Sequence, residues 1–395
     1  MRNKESKLQF YKRADITQPQ FPERSLLFQI PPIGINTENV ESFTGYLNRI
    51  AYEHCVSAAQ LLKFCLFKSK RGRSRKLIYH SRNLNGLNYN AKLAVEILEE
   101  AILINEIRFT NLLPLQNILS SANLLKRERF WCPACLNDDA QKKGIAYEKL
   151  IWNLEINEVC STHETVLFSI CPYCSNNNAC SHSIPYGFCL FCQKWLGNSL
   201  KGTTAYKGIK KFTSKSIWIE KELRSLLRLL PMAGSIFHQG KLLDALFYLV
   251  MSQMEGNISR FCRRYSLMEL DFISLFIKGN LISLRKLVAI CYPLNIRLVD
   301  LLKGEIPQNL IDSSIIELYN KERYLSDKYS QMFIDYDLYK TKKISKEEIE
   351  RAKVVLKNLL NKEPIPFSKV CQIVGIRESI LKRTLPILSL ERLCL

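Results

Sequence analysis

The chain runs to 395 residues, 47% of them hydrophobic, which allows two or three domains with cores of their own and excludes a disordered chain. Its 57 Lys and Arg outnumber 37 Asp and Glu, a formal charge of +20, so a polyanion is the expected partner: nucleic acid first, an acidic protein surface second. No run of 18 apolar residues occurs and Met1 to Lys7 lacks an apolar core, so neither a membrane span nor a secretion signal is expected.

Residues 1–35 read as an extended leader, because Gln18-Pro-Gln-Phe-Pro22 and Ile30-Pro-Pro-Ile-Gly34 disfavour helix. A helical N-terminal domain is expected over 36–130. Its first helix starts at Asn36 or Thr37, with Glu38 in the first turn, and runs through Ala51; Phe43, Tyr46, Leu47 and Ile50 form its buried face. Lys68 to Arg82 is the densest basic run. Arg71, Arg73, Arg75 and Lys76 are candidate phosphate contacts there, and Tyr79 a candidate base-stacking ring. The plain alternative is a solvated loop. Helices around Ala91 to Ile107 and Leu112 to Leu125 complete this part.

Trp131 to Trp195 holds eight of the 14 cysteines. Four ligand pairs stand out: Cys132-Pro-Ala-Cys135, Cys160-Ser-Thr-His163, Cys171-Pro-Tyr-Cys174 and Cys189-Leu-Phe-Cys192. Two intervening residues let both side chains of one tight turn grip one metal ion. Eight soft ligands make two closed tetrahedral sites, which favours zinc over calcium or magnesium and a structural over a catalytic ion. We therefore expect a central double zinc-binding module of the ribbon or knuckle type over 131–198, holding two structural Zn2+ ions. Sequential pairing would join Cys132, Cys135, Cys160 and His163, then Cys171, Cys174, Cys189 and Cys192. Cross-bracing, first pair with third and second with fourth, has the same spacing. Cys180 and His182 are further possible ligands that read as ordinary loop residues.

The run Phe130-Trp-Cys-Pro-Ala-Cys-Leu-Asn-Asp-Asp139, then Trp152, Cys160-x-x-His163, Leu167 and Cys171-Pro-x-Cys174 resembles the TniQ/TnsD family, the target-selection proteins of bacterial transposons. Glu41-Ser-x-x-x-Tyr46-Leu-x-Arg49-x-Ala51 also resembles the start of the TniQ domain. The resemblance implies a partnership with a TnsC-type AAA+ ATPase, contact with target DNA, and pairing of the chain into a homodimer. In some family members it implies association with a CRISPR effector and its guide RNA; longer, TnsD-like members bind an attachment sequence themselves.

After a polar linker at Ser199 to Thr213, helices are expected near Lys215 to Leu230 and Gly240 to Met254. Ile258 to Tyr265, Met268 to Lys278, Ser283 to Cys291 and Arg297 to Leu302 then read as four short helices of a repressor-like helix-turn-helix unit within 199–305. Glu269 and Asp271 sit where a recognition helix would face phosphates, so we read this unit as one for packing or protein contact. The C-terminal helical domain, 306–395, has a capping box at Ser345 and Glu348 and a second helix-turn-helix with Gly375 in its turn. There Arg377, Ser379, Lys382 and Arg383 are candidate DNA contacts. The fold expected is thus mostly α, with a zinc module at its centre.

No Ser/His/Asp set, metal-carboxylate cluster or G-x-x-x-x-G-K-[ST] loop stands out, so no catalytic residue is assigned and the chain is read as an adaptor rather than an enzyme. Cys55, Cys65, Cys262, Cys291, Cys371 and Cys394, outside the module, suit a reducing cytoplasm. The expected role is a transposition adaptor linking target recognition, by an RNA-guided effector, to the ATPase and the transposase. The alternatives are a sequence-specific binder of an attachment site and a zinc-containing helix-turn-helix transcription regulator; a nuclease or recombinase with an unrecognised site ranks last.

Overall fold

A computed structural model describes residues 24–69, 81–177, 185–197, 212–254 and 257–310, and within them the chain is mostly α. Three helices come first: α1 (Phe43–Glu53), α2 (Ala58–Lys68) and α3 (Tyr89–Ile102). Each opens on a side-chain cap, Ser42 accepting from Gly45 N, Ser57 in a capping box with Gln60, and Asn88 accepting from Ala91 N. α1 begins later than Asn36 or Thr37. Gly34 and Asn36 turn the chain at φ of 73° and 65°, and Glu41 is held extended in a bridge to Lys149, so helical hydrogen bonding starts only past Ser42. Glu38 accordingly lies outside the first turn and accepts from Arg228 at 2.5 Å.

Helix α3 closes at Leu103, in the left-handed conformation at φ 62°, and Asn105–Thr110 continues as a 3-10 turn. The helix expected over Leu112 to Leu125 is replaced by a 3-10 turn, Leu113–Leu115, followed by turns and two isolated bridge residues, Leu119 and Leu125. The reason lies in distant partners: Leu119 and Leu125 form bridges with Ile282 and Leu154. In these, Ser120 N–H donates to Ile282 O, Lys126 N–H to Asn153 O, and Leu124 O accepts from Glu155 N–H, so peptide groups of this segment are committed across the fold. Helix α4 (Pro133–Lys143) and the hairpin β1 (Val159–Cys160) with β2 (Thr165–Val166) build the metal region. Then come α5 (Ser214–Arg228), α6 (Ala233–Ile236), α7 (Gln239–Met254), α8 (Ile258–Arg264), α9 (Glu269–Ile277), α10 (Leu284–Leu294) and α11 (Leu298–Lys303). α5, α7 and the four short helices fall within a few residues of the spans expected from periodicity, with Gly279 at φ 64° just past the end of α9. No helix among the described residues is long and apolar enough to cross a membrane.

Two buried clusters organise the packing. Phe43, Tyr46, Leu47 and Ile50 pack with α2 and α3 in the first, which ends at Leu113. The second takes in Val40, runs from Leu112 through Trp131, Trp152 and five cysteines of the metal region, and continues into α5, α7, α8, α10 and α11 as far as Leu302. The metal region is therefore packed into the core that the C-terminal helices share.

Polar side chains fasten the leader to this frame. Glu41, fully buried, accepts from Ile33 N at 3.0 Å and from the Arg49 guanidinium at 2.9 and 2.7 Å. Arg49 also donates to Pro31 O at 2.9 Å, and Tyr46 Oη donates to Ile30 O at 2.7 Å. A Cβ at Gly45 would stand 2.8 Å from the Cβ of Glu148, so only glycine allows α1 to approach this close.

Glu148 is buried and accepts from Asn153 Nδ2 at 2.7 Å and Thr44 Oγ1 at 3.2 Å. Burial raises its carboxyl above the ordinary 4.5, outweighing the charge of Arg129 and these bonds. A folded-state value above the unfolded one means that the group's contribution to stability is complete below the unfolded value and is lost as pH rises through the folded one. Urea unfolding at about pH 5 and about pH 8 is therefore expected to show a fall in stability that Glu148→Gln reduces. The same fall in both proteins would remove Glu148 as its source.

Candidate metal centre

Cys132 sits at the N-cap of α4, with Pro133 in the helix's first turn, the position where a missing N–H costs least. Cys135 follows inside the same turn of helix. Trp131, wholly buried, exchanges backbone hydrogen bonds with Phe168 at 2.9 and 2.7 Å, which brings α4 against the β1–β2 hairpin. Cys160 ends β1 and His163 stands in the turn that follows. The hairpin thus presents the second pair to the first.

His163 Nδ1 lies 3.5 Å from Cys132 Sγ, 3.3 Å from Cys135 Sγ and 3.5 Å from Cys160 Sγ, and Cys135 Sγ lies 3.7 Å from Cys160 Sγ. A tetrahedral zinc site requires edges of about 3.7 Å between sulfurs and about 3.5 Å between sulfur and nitrogen, from Zn–S near 2.3 Å and Zn–N near 2.0–2.1 Å. The four groups fit a single ion of that size. The Cys132 and Cys135 thiols, donating to Cys160, hold it far below the usual thiol range, while the bonds to Cys160 and burial push Cys132 and Cys135 up.

The second group repeats the distance: 3.7 Å for Cys171 Sγ to Cys192 Sγ and for Cys174 Sγ to Cys189 Sγ. Its two turns are built alike. Ser175 N donates to Cys171 O and Gln193 N to Cys189 O, each at 2.9 Å. The residue after each second ligand, Ser175 at φ 59° and Gln193 at φ 57°, is left-handed, as is Glu164 after His163 at φ 48°. Three of the four pairs are thus knuckle turns, and Cys132–Cys135 instead opens a helix. At Cys189, burial opposes ionisation, but N–H groups of Cys192 and Phe191 outweigh it and bring the thiol to about 7.

Cys132, Cys135, Cys160 and His163 form one group, and Cys171, Cys174, Cys189 and Cys192 the other. Pairing is sequential, not cross-braced. Cys180 and His182 lie outside the described residues, as do Arg71, Arg73, Arg75 and Lys76 of the basic run, and Arg377, Ser379, Lys382 and Arg383 of the C-terminal helix-turn-helix. Each group offers four protein ligands to one ion, which leaves no position open for a reacting water.

Two features were not assigned from the sequence. Asp138, on α4, places Oδ2 3.5 Å from His163 Nε2. With Nδ1 turned to the thiols, the ring proton belongs on Nε2 and faces that carboxylate, an arrangement that fixes tautomer and ring orientation. Asp138→Asn is expected to weaken metal retention at the first group by about tenfold, read as faster release to a chromogenic chelator while the second group is unchanged. Equal release by parent and variant would leave Asp138 with no part in holding the ring. The other feature is α5. Ser161, between two ligands, donates to Glu220 at 2.5 Å; Arg224 donates to Glu220 at 2.5 Å and to Asn39 at 3.0 Å. One buried ion pair on α5 thus ties the ligand turn to the leader loop.

No curated protein matches the chain. Residues 32–167 match the family model described as TniQ, a span that starts at the Pro32–Ile33 strap held by Glu41 and ends past His163, so that it contains the whole first metal group. Residues 32–167 of this chain are thus a TniQ domain.

Proposed function

We propose that the protein is a transposition targeting adaptor, which links a target-site recognition complex, an RNA-guided CRISPR effector, to a TnsC-type AAA+ ATPase and through it to the transposase. The observation that carries this reading is the TniQ domain over residues 32–167, a domain of transposon target selection. Supporting it, the motif residues Glu41, Ser42, Tyr46 and Arg49 are occupied in holding the domain's own leader and cap. Such side chains build a rigid platform rather than a reacting centre. The protein acts without catalysis of its own, meets target DNA, and works as a pair of chains.

The ions are zinc, two per chain, and both are structural: bound, each cross-links segments distant in sequence and supplies folding free energy. Elemental analysis of the purified protein tests their identity, and about two equivalents of zinc are expected. The adaptor role is tested by recovering the tagged protein from its host and identifying what accompanies it. A guide RNA with Cas proteins and the ATPase is the expected set. One duplex DNA site with no guide RNA would move the reading to a direct attachment-site binder and put the weight on Arg377, Lys382 and Arg383. Neither set would sink both.

A further inference from the structure

Helix α2 carries its apolar residues on two faces, and only one of them is used. Ala58, Leu61, Leu62 and Cys65 are buried against the first cluster. The opposite stripe, Gln60, Lys63, Phe64, Phe67 and Lys68, faces solvent, with Phe64 43% and Phe67 77% exposed. Two neighbouring phenylalanines this open gain nothing for the fold, and clustered exposed apolar groups mark interaction sites. Lys68 Nζ stands 5.9 and 6.0 Å from the two ring centroids, and α2 contains no acidic residue. At this helix end Glu100 accepts from Ser69 at 2.6 Å. In sequence, Lys70, Arg71, Arg73, Arg75 and Lys76 follow at once.

We propose that this outer face of α2 is a stacking platform for unpaired bases of a nucleic acid, with Phe64 and Phe67 as the stacking rings and Lys63 and Lys68 as phosphate contacts. The chemistry favours that occupant over a protein. Aromatic rings interleaved with cations are the requirement for binding single strands, since every base offers a π face and the backbone offers charge. Protein interface cores, in contrast, are depleted in lysine. The proposal rests on the adaptor reading only in that such a protein works beside displaced strands and guide RNA.

The test uses the purified full chain and a labelled oligothymidylate of about 15 nucleotides, with a duplex of the same length beside it. Phe64→Leu with Phe67→Leu keeps the stripe apolar but removes the rings, and is expected to weaken single-strand binding roughly tenfold or more with duplex binding unchanged. Phe64→Tyr with Phe67→Tyr should restore binding. Lys63→Gln with Lys68→Gln should flatten the plot of log affinity against log salt by roughly 1.4, about 0.7 per phosphate contact. Equal binding by the parent and the leucine variant overturns the proposal. So does a leucine variant that loses self-association or a protein partner while its oligonucleotide affinity stays the same. Integration frequency in a host carrying the transposon reads the adaptor role separately: parent protein that binds single strands but directs no integration sinks that role and leaves the platform standing.

Discussion

Cys160→Ser is expected to lower the metal content from two ions to one and to abolish cooperative thermal unfolding of the body of the protein. The size of the effect follows from where Cys160 sits. It belongs to the same buried cluster as Trp131, Trp152, Leu223 and Leu301, and its turn is bonded to Glu220 of α5 through Ser161. A structural zinc ion contributes on the order of 10 kcal/mol of folding free energy, as much as the whole net stability of an ordinary domain, about 5–15 kcal/mol. Cys171→Ser should also empty one site. Its partners Cys174 and Cys192 are partly exposed, so the loss there should reach less of the core. Elemental analysis and a melt followed by circular dichroism read both variants. A Cys160→Ser protein that retained two ions, or melted like the parent, would show the ligand set to be wrong.

Arg49→Met is expected to destabilise the TniQ domain by about 3–5 kcal/mol, the cost of leaving one member of a buried pair without its counter-ion. Glu41 is 1% exposed at its side chain and Arg49 13%, and the guanidinium also holds Pro31 O, so the variant loses a charge partner and the strap together. Replacing both members, Glu41→Gln with Arg49→Met, should cost less than the sum of the two single changes, because no uncompensated charge then stays buried. Urea unfolding of the four proteins measures this coupling. Additive single effects would mean that the pair does not act as a unit.

What could be read from the chain alone was whatever depends on short spacing. Pairs of ligands two residues apart named all eight members of both metal groups, because a single tight turn sets the distance between its own side chains whatever surrounds it. Periodicity located the buried face Phe43, Tyr46, Leu47 and Ile50, and found α5 and α7 to α11 within a few residues, because those helices bury one continuous stripe. Tertiary structure alone decided the partnership of the pairs, since sequential and cross-braced sites share every local spacing and differ only in how the Trp131–Phe168 bridge brings α4 to the hairpin. It also decided that Leu112 to Leu125 is turns and isolated bridges rather than a helix, with Ser120 N–H and Leu124 O bonded to Ile282 and Glu155. The same holds for Asp138 and Glu220, ordinary helix carboxylates in sequence, which gain their roles only because His163 and Ser161 are folded against them. Local chemistry is carried by neighbours in the chain, but burial and pairing are properties of contacts between segments far apart in it.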